Sequence, residues 1–484
     1  MEDYESDYDD ELSESEIQEY IKKYKVYLSE DYTEDLPTPD SEILESIIFF
    51  LIEEEAIDEA MKFCKLWLRH EPESASAWYA LSILYSGYGD YDAADQCIDK
   101  ASELDPSDSD IIVQKALNYS LAGNNTLAIM VIDKILEKEP ENDMALYNKA
   151  FLLQSIYRYN DAIKILEQLL ELESDEYPLF DDIAYCYQAI KKYDKALHYY
   201  KLAIEDNPDD VFLWYNLGIV HNAAGHKFQA IEALKNSISI YEDLPKAHFA
   251  LGSIYAELGR LMQAIDAYSA AFELEPNNYE HIVNLATALA DSGDYHLAIM
   301  LFTFMIDQNG DSAIPFFARS LCYDALEDYE NASADIKKAL HLDPSNPEYL
   351  HSYATILINS GNDKKAIEIF KKCIKLAPEN LQAKSDFATL YIRLGDMVKA
   401  RKILKSIIEI EPKWTDAYHL LAKSYIAEMD FDSAAKYLFD LMQVDIAFRE
   451  KIKKENPEFY EELERKTAIL NPKNKKQSRS KKDK

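Results

Sequence analysis

Apolar residues recur along this chain at helical spacing, and the helices they predict come in pairs. In one stretch Tyr215, Leu217, Gly218, Ile219 and His221 mark a first helix, and Ala230, Ile231, Leu234 and Ile238 mark a second after a short turn. The same pattern returns every 34 residues. Alanine stands at Ala60, Ala94, Ala128 and each thirty-fourth position onward to Ala434, with no insertion or deletion. In a frame that starts at residue 41, twelve repeats run to about Phe448. A register held over that length predicts one continuous all-α solenoid rather than a string of globular domains.

Three further columns sharpen the helix boundaries. Proline closes most second helices (Pro72, Pro106, Pro140, Pro208, Pro276, Pro344, Pro378 and Pro412), because it lacks the amide donor and clashes with the preceding turn. Seven of the eleven glycines fall at the turn inside the repeat, from Gly89 to Gly395, where a left-handed residue ends the first helix. Small residues fill the first helix at one phase, among them Ser82, Ala116, Ala150, Ala184, Gly218, Gly252 and Ala286. With the alanine column they let the two helices of a repeat approach closely, and a larger side chain there would overpack the contact. Aromatics such as Trp78, Trp214, Tyr187, Tyr255 and Tyr391 fill the remaining space.

Small-x-x-Tyr in the first helix, Gly at the turn, Ala in the second helix and a closing Pro on this period resemble the tetratricopeptide repeat (TPR). The resemblance covers residues 41–448, with a degenerate first repeat that has Ile48 at the small position and Glu55 at the glycine position. It implies antiparallel helix pairs stacked into a right-handed superhelix, with the first helix of each pair lining a concave groove.

Four segments lie outside the repeats. Residues 1–13 are acidic and lack periodicity, which predicts a disordered tail. Residues 14–40 read as a helix, begun by a Ser13/Glu16 capping box, and a linker that contains Pro37 and Pro39. Residues 449–470 read as a capping helix over the last repeat, and 471–484 as a disordered basic tail.

A longer period overlies the first. The closing proline is replaced at Ser174, Glu242 and Gly310, each 68 residues from the next. Asn148, Asn216 and Asn284 occupy the sixth position of the proline-less repeats, so residues 143–346 read as three copies of a two-repeat unit.

Charge narrows the partners. The formal net charge is −38, which disfavours nucleic acid and anionic membrane surfaces and favours neutral or basic partners. No apolar run is long enough for a membrane span, and the N-terminus has no export signal, so cytoplasm is the expected location. The five cysteines form no CxxC pair and read as buried hydrophobes. Neither HExxH, GxSxG nor a phosphate-cradling glycine loop is present, and the ten histidines lack ligand spacing. The expectation is therefore no catalytic residues, no metal, no cofactor and no small-molecule substrate.

The resemblance places second, fifth, sixth, ninth, twelfth and thirteenth positions of the first helices on the groove. The residues expected there to bind peptide are Tyr79, Tyr147, Asn148, Phe151, Asp182, Tyr185, Tyr215, Asn216, Phe249, Asn284 and Phe317. Amides can give and accept hydrogen bonds with a peptide backbone, and aromatics supply apolar area at low entropy cost. The asparagines resemble the ladder in the repeat domain of O-linked N-acetylglucosamine transferases, with rungs at alternate repeats. The carboxylate clamp of chaperone-binding members is incomplete, since Lys246 is suitably placed but Ala250 stands where an arginine is required. The expected function is a protein-interaction scaffold that binds an extended partner segment in the groove. Two alternatives are a nucleic-acid or ribosome-associated factor using residues 471–484, and a non-catalytic targeting subunit of a transferase.

Overall fold

The structure is a computed structural model that describes residues 12–28, 40–172, 177–455 and 457–470. The acidic segment before residue 12, the linker 29–39 and the basic segment 471–484, for which disorder or linker character is expected, lie outside the described residues.

The first helices of the twelve repeats run Ser41–Glu53, Ala75–Gly87, Ser109–Leu121, Asp143–Ser155, Leu179–Ala189, Val211–Ala223, Pro245–Glu257, Tyr279–Asp291, Ala313–Ala325, Pro347–Asn359, Leu381–Arg393 and Thr415–Ile426. The second helices run Ile57–His70, Tyr91–Leu104, Asn125–Lys138, Tyr159–Glu171, Tyr193–Asp206, Lys227–Ile240, Leu261–Leu274, Tyr295–Gln308, Tyr329–Leu342, Asp363–Leu376, Met397–Ile410 and Phe431–Val444. An α-helix at Glu14–Tyr24 and a 3-10 turn at Lys25–Leu28 precede them, and helices Ile446–Glu455 and Pro457–Leu470 follow. Helices pack in adjacent pairs, so the fold is an all-α solenoid. The chain divides into two compact units, Met1–Glu242 and Asp243–Lys484, with the helices of six repeats in each.

Local chemistry sets each boundary. First helices start on side chains that accept from the opening amides, as Asp108, Asn142, Asp210, Asn278, Asn346 and Asn380 do. Three fourth-position side chains tie back to the proline carbonyl just upstream. Trp78 Nε1 donates to Pro72 O at 2.9 Å, Trp214 Nε1 to Pro208 O at 2.8 Å, and the Tyr418 hydroxyl to Pro412 O at 3.0 Å.

The turn inside the repeat is left-handed in all twelve repeats. Seven glycines there have φ between 68° and 91°, while Glu55, Tyr157, Lys191, Glu327 and Met429 hold the same place at 55° to 62°. The amide that follows bonds back five residues, as His226 N does to His221 O at 2.8 Å. A side chain in this conformation costs about 1–2 kcal/mol that glycine does not.

All twelve column alanines are buried, eleven of them completely. At Gly218 an added Cβ would lie 2.7 Å from Leu234 Cγ, and at Gly252 it would lie 2.6 Å from Tyr268 Cδ1. Tyr268 is itself buried and its hydroxyl donates to Ser253 Oγ at 3.2 Å, so its ring has no room to retreat. The Gly252→Ala variant is expected to lose about 1–3 kcal/mol by overpacking. Glu327→Gly, in the same unit, is expected to gain about 1 kcal/mol by relieving the left-handed turn. Urea denaturation of both variants checks the opposite signs.

Candidate functional site

The fifth, sixth and ninth positions of the first helices carry the residues expected to bind peptide, and their surroundings differ from one repeat to the next. In the first unit the Tyr147 hydroxyl donates to Asp182 Oδ2 at 2.9 Å, and Gln154 Nε2 donates to Asp182 Oδ1 at 3.3 Å. The Tyr147 ring stacks on Tyr177 with centroids 4.1 Å apart and planes 14° apart. Burial, then the neighbouring Asp182 charge, pushes the Tyr147 hydroxyl above its ordinary range. Burial also raises the Asp182 carboxyl, against the two hydrogen bonds it accepts.

The second unit repeats this tie with other side chains. His351 Nε2 lies 2.7 Å from Asp386 Oδ2, again linking a fifth position to the sixth position of the next repeat. One row over, Asn359 Nδ2 donates to both carboxylate oxygens of Asp324 at 3.1 Å. These partners stand 35 residues apart, the step that joins neighbouring positions on adjacent first helices. The complementary pairs could have been found in the sequence by comparing the fifth column with the sixth, and the twelfth with the thirteenth, one repeat apart.

Most of the remaining expected residues are half-buried against neighbours. Tyr79 lies 6.3 Å from Phe49, and burial pushes its hydroxyl up to about 12. Phe249 packs between His281 at 5.1 Å and Tyr268 at 5.6 Å, and Phe317 lies 4.6 Å from Tyr349. Burial raises the hydroxyl of Tyr215. Asn148 and Asn284 turn an amide N–H back onto their own helix, to Met144 O and Glu280 O, both at 2.9 Å. Asn216 makes no such return bond among the described residues, so the three asparagines are not alike.

Phe151 and Tyr185 are different. They occupy the ninth position of consecutive repeats in the first unit and are 53% and 45% exposed. The Tyr159 ring meets Tyr185 edge-on at 6.0 Å, and Tyr157 meets Tyr159 at 6.2 Å. Tyr157 is 80% exposed and sits at a left-handed turn position that glycine fills in seven repeats. An exposed aromatic held in a strained turn is a feature that packing does not require. The sequence reading missed Tyr157 and Tyr159; the missing glycine was the signal for the first.

Asp181 faces a cleft of about 490 Å³ lined also by Tyr177, Phe180, Asp206, Asp210 and Leu213. Its Oδ1 is buried and accepts no hydrogen bond among the described residues. Burial, then the charges of Asp182 and Asp210, pushes its carboxyl up to about 6. Asp181 and Tyr185 are four residues apart on one helix and share a face.

Little else is suited to chemistry. The five cysteines are free and buried, and burial pushes the Cys64 and Cys186 thiols up to about 12 and Cys97 to about 11. Among the described residues no group of three or more His, Cys, Asp and Glu side chains could hold a metal ion. No described helix is long and apolar enough to cross a membrane.

Models of known families match along the chain. Tetratricopeptide repeat models match residues 51–113 and 364–424, 245–278, and 283–347. A model of the Psidin N-terminal TPR repeats region matches residues 120–221, and one of YpiA-like C-terminal tetratricopeptide repeats matches 317–380. No curated protein matches. Among solved structures, yeast Tom70 is 17% identical, with 89% of this chain and 96% of that one covered and a TM-score of 0.41. A chain of the APC/C hetero-tetramer Cut9–Hcn1 is 16% identical, with 84% and 87% covered and a TM-score of 0.37. YrrB, a TPR protein with an unusual peptide-binding site, is 18% identical, with 38% and 95% covered and a TM-score of 0.35.

The buried carboxyl of Asp181 makes the stability of the first unit depend on pH. Because its folded value is raised, its stabilising contribution is complete below 3.8 and is lost as the pH rises through about 6. Asp181→Asn is therefore expected to raise the urea midpoint of unfolding at neutral pH and to leave it nearly unchanged near pH ~4. Unfolding curves at the two pH values check this.

Proposed function

The chain belongs to the tetratricopeptide repeat proteins, and on that footing we propose that it is a scaffold holding an extended segment of a partner protein on the first helices of repeats four to six. The observation that carries this reading is the exposed aromatic surface of Phe151, Tyr157 and Tyr185. Beside it, Tyr147 and Asp182 are fixed by their mutual hydrogen bond and present a rigid polar edge. Asn148 keeps its carbonyl and one N–H for a peptide backbone after its bond to Met144. Asn216 offers a whole amide.

Charge supports a neutral or basic segment. Asp181 is ionised at neutral pH and its buried oxygen has no hydrogen-bond partner among the described residues, so a lysine or arginine side chain would satisfy it. The same reading places Tyr215 at the far edge of the surface in the first unit. Tyr79, Phe249, Asn284 and Phe317 belong to it less directly, because Tyr79, Phe249 and Phe317 pack against neighbours and Asn284 bonds to its own helix.

Families built from this repeat are typically non-catalytic scaffolds. We place the chain among them, and in the cytoplasm. The readings that rest on residues 471–484, or on a transferase partner, gain no support from any described residue.

Phe151→Ala with Tyr185→Ala removes two large contact side chains while leaving the buried columns intact. The double variant is expected to bind its partner at least ~10-fold more weakly, as hot-spot aromatics do. Quantitative affinity capture against the wild type, with circular dichroism as the check on folding, measures this. Equal recovery by a folded double variant would move the interface off these repeats.

A further inference from the structure

A second surface of the first unit has the opposite chemistry. A cleft of about 660 Å³ opens between the second helices of repeats one and two, floored by the first helix of repeat two. Its walls carry Lys65, Arg69, Gln96 and Lys100, and its floor carries Trp78 and Tyr85. Among the described residues no carboxylate lines it. Lys100 pairs with Glu103 at 2.9 Å, outside the lining. Lys65 and Arg69 are exposed and make no ion pair among the described residues.

Two points show that this arrangement is unsettled without a ligand. Lys65 and Arg69 stand four residues apart on one helix, where like charges repel. They do so in a chain with 89 acidic and 51 basic residues, where a carboxylate neighbour would be the ordinary outcome. Beneath them, the Tyr85 hydroxyl donates to no partner among the described residues, and the half-buried Trp78 ring has its N–H already used by Pro72 O. The cleft thus offers cations and donors above an aromatic floor.

We infer that this cleft docks a short acidic segment of a partner protein, carboxylates on Lys65, Arg69 and Lys100 and an apolar or aromatic side chain on Trp78. Charge complementarity selects the occupant. A long polyanion such as RNA, or an anionic membrane, would run past the cleft onto a surface whose net charge is strongly negative, within a screening length of about 10 Å. A short segment meets only the cations.

The surface is independent of the one proposed above. At about 100° per residue, the fourth and eleventh positions that carry Trp78 and Tyr85 lie on the opposite side of a first helix from the fifth, sixth and ninth. The two readings can therefore fail separately.

The test uses the full chain and a fluorescently labelled peptide of alternating Glu and Asp with one Phe, against a control in which Gln and Asn replace the acids. The acidic peptide is expected to bind and the control not to. Lys65→Glu with Arg69→Glu, both exposed, should weaken binding about tenfold or more. Raising salt from about 0.05 to about 0.5 M should weaken it similarly. The Phe151→Ala, Tyr185→Ala variant should bind the acidic peptide as the wild type does. Equal affinity for the control, or indifference to the charge reversals in a chain still folded by circular dichroism, overturns the inference. So does tighter binding of an RNA oligonucleotide that the reversals abolish. If deleting residues 1–11, which carry seven carboxylates, raises peptide affinity tenfold, the occupant is this chain's own segment and the partner assignment falls.

Discussion

The close approach of two helices at small residues is the constraint on which the rest of this solenoid depends. The alanine column and the small column of the first helices are buried because no larger atom fits between the two backbones. Gly252 faces the ring of Tyr268 and Gly218 faces Leu234, at distances that leave no space for even one more carbon. Large, fully buried side chains such as Tyr200, Phe302 and Phe370 stand at the same phase of other second helices. There the small residue of the first helix is an alanine, Ala184, Ala286 or Ala354, rather than a glycine. A turn of three residues serves eleven of the twelve repeats and one of four residues, 427–430, serves the last, even where Tyr157, Lys191 or Met429 must adopt a left-handed backbone to make it.

Constant spacing has a consequence for the binding face. If each first helix sits at one distance from the next, side chains a repeat and one residue apart meet repeatedly, and complementary ones bond. Tyr147 with Asp182, His351 with Asp386 and Asp324 with Asn359 are three such ties. They consume polar groups that a groove would otherwise offer to a ligand. In the first unit the tie between Tyr147 and Asp182 leaves the rings of Phe151 and Tyr185, on the same two helices, exposed. A repeat protein therefore gains a specific site through local exceptions to its own regularity.

The regular part was legible in the sequence and the exceptions were less so. Proline, glycine and alanine columns report backbone requirements, which are the same in every repeat and need no knowledge of side-chain direction. The sixth-position asparagines look equivalent in the sequence, yet Asn148 and Asn284 bond to their own helix while Asn216 does not. That choice depends on rotamers. Tyr147 and Asp182 were each legible as groove residues, but their bond to one another depends on reach across two helices. The unpartnered oxygen of Asp181 was not legible, since burial of one atom is a property of packing. Lys65 and Arg69 were simply part of an acidic chain's minority of cations until the cleft beside them had a floor.

The acidic excess gives these two surfaces of the first unit different standing. Around Phe151 and Tyr185 the surrounding field and the local carboxylate of Asp181 have the same sign, so on the proposed reading a basic segment would be drawn from a distance as well as held on contact. Over Trp78 the local cations oppose the field. An acidic segment is repelled at long range and favoured only within about a screening length. The first surface gains in association rate from the charge of the whole chain, while the second must gain its affinity from contact. Because the two lie on opposite sides of the same row of helices, segments bound at both would not collide. On the two proposals taken together, one scaffold would hold segments of opposite charge with no change in its backbone.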